Sequence, residues 1–83
     1  MNAIEQLHEI GVRHNERYVR YLIDNIASTK YPSRELMDRT EEAVADTGQM
    51  DRYLDVLLER VEMCQYPSLE LLDRIRRVTA SLP

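Results

Sequence analysis

Few residues in this 83-residue chain are equipped for chemistry: two histidines, His8 and His14, and one cysteine, Cys64, stand out from an otherwise ordinary set of carboxylates and basic groups. Glu5-Gln6-Leu7-His8 has the Glu-x-x-His spacing by which di-iron carboxylate proteins place two ligands on one helix face. Such a site takes two of these motifs plus two further inward-facing glutamates, so the metal-binding reading requires a homodimer. His8 and His14 are six positions apart and fall on different helix faces. The chain has no Gly-rich phosphate loop, no nucleophile elbow and no paired-Cys metal spacing. Nothing near Cys64 marks it as a reactive thiol, and it reads as an ordinary, partly buried one. These residues lead us to expect a protein that is not an enzyme, with no cofactor and no bound metal.

Composition narrows the partners. The net charge is −4 with both signs interspersed, which gives no general attraction for a phosphate backbone or an anionic membrane. No apolar run approaches a membrane span, and Met1-Asn2-Ala3-Ile4-Glu5 lacks the character of a secretory signal. A lone cysteine makes no internal disulfide. The expectation is a cytoplasmic protein without membrane contact. With few glycines and prolines, no Phe or Trp, and much Leu, Glu, Arg and Asp, the composition favours helix.

The elements that would position any site are written twice. Tyr31-Pro32-Ser33-Arg34-Glu35-Leu36-Met37-Asp38-Arg39 is followed 35 positions later by Tyr66-Pro67-Ser68-Leu69-Glu70-Leu71-Leu72-Asp73-Arg74. Pairing 17–46 with 52–81 at this offset gives 11 identities in 30 pairs. Arg17/Arg52, Tyr18/Tyr53, Leu22/Leu57 and Ala45/Ala80 lie outside the turn motif itself. A period near this length belongs to stacked helix–turn–helix units. Each Tyr-Pro bars the tyrosine from helical geometry, and each Ser is a helix N-cap followed by Glu in the first turn. Thr47-Gly48 ends the second helix, and Gln49 or Asp51 opens the third. Apolar residues recur at three- and four-residue steps: Ile4, Leu7, Ile10, Tyr18, Leu22 and Ile26 in the first helical region; Leu36, Thr40, Ala43 and Val44 in the second. Tyr53, Leu54, Leu57, Leu58 and Val61 line the third, and Leu71, Leu72, Ile75 and Val78 the fourth. No stretch alternates with the period of a strand.

The fold expected is therefore all-α, one domain over residues 1–83. Two tandem αα-hairpins (17–46 and 52–81) would pack antiparallel neighbours through short turns, with an N-terminal helical extension (1–16). Gly11 and Asn15 leave open whether residues 1–28 are one helix or two, the long helix being preferred. Ile4, Leu7 and Ile10 would cover a face that stacking leaves open. The recurring Tyr18/Tyr53 and Tyr31/Tyr66 pairs read as packing groups, and positions alike in both hairpins as a shared interior.

Differences between the hairpins carry the functional expectation. Arg34 becomes Leu69, Ser28 becomes Met63 and Thr29 becomes Cys64, leaving an apolar surplus around the second turn. Glu41-Glu42 becomes Arg76-Arg77. Met63, Tyr66, Leu69, Arg74, Arg76 and Arg77 form the expected partner-binding surface, provided residues 1–16 do not fold over it. The chain would dock a helix face on a larger protein, as adaptor, regulatory subunit or stoichiometric inhibitor of the kind phages and mobile elements encode, with homo-oligomerisation also possible. The competing reading is a helix-turn-helix DNA-binding regulator contacting phosphates through Arg74, Arg76 and Arg77, which the acidic total and Glu70 and Asp73 on the same helix oppose.

Overall fold

The computed structural model describes residues 2–45 and 47–83. Met1 and Asp46, which bound the expected extension and first hairpin, lie outside the described residues. Four helices follow one another: α1 (Ala3–Ser28), α2 (Arg34–Val44), α3 (Met50–Glu62) and α4 (Leu69–Ser81), with no strand among the described residues.

Local chemistry sets the helix ends. The Asn2 side chain accepts from the Glu5 N–H at 2.8 Å while the Glu5 carboxylate accepts from the Asn2 N–H, a capping box that satisfies two otherwise orphaned donors. From there α1 runs 26 residues without a break. At 1.5 Å per residue that is about 39 Å. Gly11 costs about 1 kcal/mol relative to Ala but does not divide it. Ser33 and Ser68 cap α2 and α4 by accepting from the N–H groups of Leu36 (3.1 Å) and Leu71 (3.4 Å). Gly48, at φ 75°, turns the chain between α2 and α3 in the left-handed region that other residues avoid. Gln49 precedes α3 and makes no side-chain cap; its amide instead donates across to the Glu16 carbonyl at 3.0 Å.

That bond shows how the elements are arranged. The start of α3 lies beside Glu16 and its end beside Ile26, whose carbonyl accepts from Arg60 at 2.8 Å, so α3 runs parallel to the second half of α1. Arg34 meets Glu70, and Arg74 meets Asp38 farther along, so α2 and α4 are parallel too. Each helix is antiparallel to its sequence neighbour. α3 packs against all three others, whereas α4 packs on α3 and reaches α2 through long side chains.

The core is Val19, Ile23 and Ile26 of α1, Met37 and Val44 of α2, and Tyr53 and Leu57 of α3. Val78 is buried too, and Leu71 and Ile75 of α4 pack against the cluster from the edge. Each such aliphatic side chain contributes roughly 1.5–3 kcal/mol on leaving water. Thr40 is buried with its hydroxyl donating to the Leu36 carbonyl at 2.7 Å, which removes the cost of an unpaired polar group. Leu58 and Leu72, expected inside, are instead partly exposed, because among the described residues no helix lies against the outer side of α3 and α4.

The first half of α1 corrects another expectation. Ile4, Leu7 and Ile10 cover no face of the bundle; they are exposed, as is every described residue before Val19. With α3 beginning only opposite Glu16, no helix among the described residues flanks this half, and the molecule is elongated, 53 × 28 × 18 Å.

Candidate functional site

Because α1 and α3 run parallel, their C-terminal turns arrive at the same end of the bundle. Arg60 near the end of α3 reaches the carbonyls of Ile26, Ala27 and Lys30 around the end of α1. Tyr31 and Tyr66, each followed by a proline that disfavours helical geometry before it, lie outside any helix and are exposed. Met63 is 88% exposed and Leu69 76% exposed, with Tyr31 and Tyr66 in the same condition. Cys64 is exposed as well, so the partly buried thiol expected from sequence is not found. Residues 2–16 extend from the opposite end of α1's packed half and do not cover this surface. Tyr31 and Tyr66 are thus surface groups rather than the packing groups their recurrence suggested; Lys30 Nζ stands 5.6 Å from the Tyr31 ring, a cation–π contact at the surface.

Of the six expected surface residues, five are exposed: Met63, Tyr66, Leu69, Arg76 and Arg77. Leu69 and Arg76, seven positions apart on α4, share one face. Arg74 is the exception. It is 3% exposed, and its guanidinium donates to Asp38 and Glu41 of α2, each at 2.7 Å. Burial works against its charge, but the hydrogen bonds it donates to Glu41 and Asp38 outweigh this and raise its pKa. The Glu41 carboxylate also accepts from the Tyr53 hydroxyl, and burial, then that hydrogen bond, raises the tyrosine's pKa. Arg74, Tyr53, Glu41 and Asp38 form one network joining α2, α3 and α4, in which the Arg74 Nε is left without a partner. Arg74 is therefore an internal tie and not part of a basic surface, so the cluster available to a phosphate backbone on α4 reduces to Arg76 and Arg77. Nothing in the spacing of Arg39 and Arg74, identical in sequence, announces that the first is exposed and the second buried.

Beside this network an open groove of about 600 Å³ runs between α2 and α4, lined by Arg34, Asp38, Glu70, Asp73, Arg74 and Arg77. Arg34 and Glu70 pair across it at 2.7 Å, each well exposed. That hydrogen bond lowers the Glu70 pKa and raises that of Arg34. Alternating signs leave the groove no net preference for an anion or a cation. A second shallow groove, about 330 Å³, follows the first half of α1 past Leu7, His8, Gly11 and Val12 to Thr47. Among the described residues no three His, Cys, Asp or Glu side chains converge as metal ligands, and Glu5 is engaged in the cap of α1. No described helix is long and apolar enough to cross a membrane.

No protein-family model, curated protein or solved structure matches this chain. What the fold and surface define is a small all-helical protein with apolar and basic groups on one end and one outer side.

Proposed function

We propose that the chain is a non-catalytic docking module, made of two copies of one αα-hairpin (17–46 and 52–81), that acts on a larger protein as adaptor, regulatory subunit or inhibitor in the cytoplasm. The observation that carries this reading is the set of large apolar side chains, Tyr31, Met63, Tyr66 and Leu69, left exposed together at the turn end of the bundle. Patches of that kind on a small protein mark contacts with another macromolecule. Arg76 and Arg77, exposed about two turns along α4 from Leu69, would supply the charge that orients the approach. The duplication is supported by the 11 identities at one offset and by the matched serine caps.

The test is a Leu69→Asp/Arg76→Glu double variant. Both side chains are exposed, so helicity and thermal unfolding should match the parent. Capture of the partner from host extract, identified by mass spectrometry and then titrated as purified protein, should be lost. A partner that binds the double variant as tightly as the parent refutes this surface.

A further inference from the structure

Equivalent positions of the two hairpins differ in exposure in one consistent direction. On the side of the first hairpin that faces the second, Ile23 and Met37 are buried; at the same positions of the second hairpin Leu58 is exposed and Leu72 is 38% exposed. On the side of the second hairpin that faces the first, Tyr53 is fully buried and Val56 packs on the core, whereas Tyr18 is 45% exposed and Tyr21 is more open still. The described helices thus present on one side an unpacked acceptor face on α3 and α4, and on the other an unpacked donor face on α1 and α2. Each matches the half of the internal interface that it lacks.

Charge agrees with shape. Inside the chain, Arg52 pairs with Asp24, and Arg74 with Asp38. The donor face carries Arg17 and Arg39 at the positions of Arg52 and Arg74; the acceptor face carries Glu59 and Asp73 at those of Asp24 and Asp38; all four are exposed. We propose that a second copy of this chain docks its α1–α2 hairpin on the exposed α3–α4 side of the first, repeating the internal hairpin interface with Arg17 against Glu59 and Arg39 against Asp73. The contact is head-to-tail, so it leaves both outer faces open and propagates beyond a dimer. Several internal contacts are not reproduced: Leu69 stands where Arg34 pairs with Glu70, and Asn25 stands where Arg60 reaches the carbonyls at the end of α1. Arg76 stands where Glu41 would be, so Arg39 of the incoming copy meets a guanidinium as well as a carboxylate. The intermolecular contact is correspondingly weaker than the internal one.

This inference rests on the two-hairpin reading and names one partner for its outer side; Met63 and Tyr66 play no part in it. Sedimentation velocity on the full chain from micromolar to millimolar concentration tests it. The weight-average mass should rise past that of a dimer. Tyr21→Glu spoils only the donor face and Leu72→Glu only the acceptor face; each should be monomeric, and their equimolar mixture should form a one-to-one dimer and nothing larger. Arg76→Glu restores the missing carboxylate and should shift association to at least tenfold lower concentration, the reverse of its expected effect on a foreign partner. A parent that stays monomeric at millimolar concentration, a mixture that does not complement, or an Arg76→Glu variant that associates less overturns the proposal. If self-association is absent while Leu69→Asp/Arg76→Glu still abolishes capture of a foreign protein, the docking reading stands without it. Far-UV circular dichroism of each variant separates lost association from lost folding.

Discussion

Arg74 does the most at the scale of single residues. Its guanidinium ties α4 to two carboxylates on α2 while the stem packs in the interior. Removing Arg74 leaves the largely buried Glu41 carboxylate without its cation, while the exposed Asp38 is taken up by water, so Arg74→Ala should lower the free energy of unfolding in urea by roughly 3 kcal/mol. Tyr53 sets a dependence on alkaline pH. Burial first, then the Glu41 carboxylate, raises its folded pKa above the ordinary value. A raised folded pKa means that the native state holds a proton which the unfolded state releases. The stability this gives is complete below the unfolded pKa and declines as pH rises beyond about 10. Thermal unfolding as a function of pH should show that decline, and Tyr53→Phe should make the decline shallower. At neutral pH the same substitution should cost about 1 kcal/mol for the lost hydrogen bond.

At the scale of elements, α1 is two structures in one helix. Its second half, from Val19, lies in the core; its first half is held by the Asn2–Glu5 capping box and its own backbone bonds. Isolated helices of such length are marginal in water. Amides between Gln6 and Asn15 should therefore exchange with solvent far faster than those between Val19 and Ser28, as hydrogen-exchange mass spectrometry would resolve. The other helices owe their limits to side chains legible beforehand: Ser33 and Ser68 as caps, Pro32 and Pro67 as barriers, Gly48 as a left-handed turn. Periodicity located all four helices, and most of the inward positions followed from it. Leu58 and Leu72 did not, since the same spacing describes a residue under a neighbouring helix and one on the outer side of the last pair.

For the whole molecule, α3 is the element that binds the rest. It packs on α1, α2 and α4, and its Leu57 is fully buried. Leu57→Ala should cost about 3 kcal/mol in urea unfolding. The loss should appear in one transition for all helices, read at the same denaturant midpoint by circular dichroism and tyrosine fluorescence. The turn-end surface depends on this arrangement as well: Met63 and Leu69 gain the company of Tyr31 only because α3 lies parallel to α1.

By itself the sequence determined what depends on neighbours along the chain. Helix type and limits came from caps, prolines, glycine and the three- and four-residue apolar steps, and the apolar surplus at Met63, Cys64 and Leu69 came from comparing one turn with the other. Only the tertiary structure decided which of two identical residues is buried. Arg39 and Arg74 share a local sequence, as do Tyr18 and Tyr53, yet each second member has another hairpin against it and each first member has water. Burial is a property of what packs across a face, and a helix's own periodicity carries no record of whether another helix lies there.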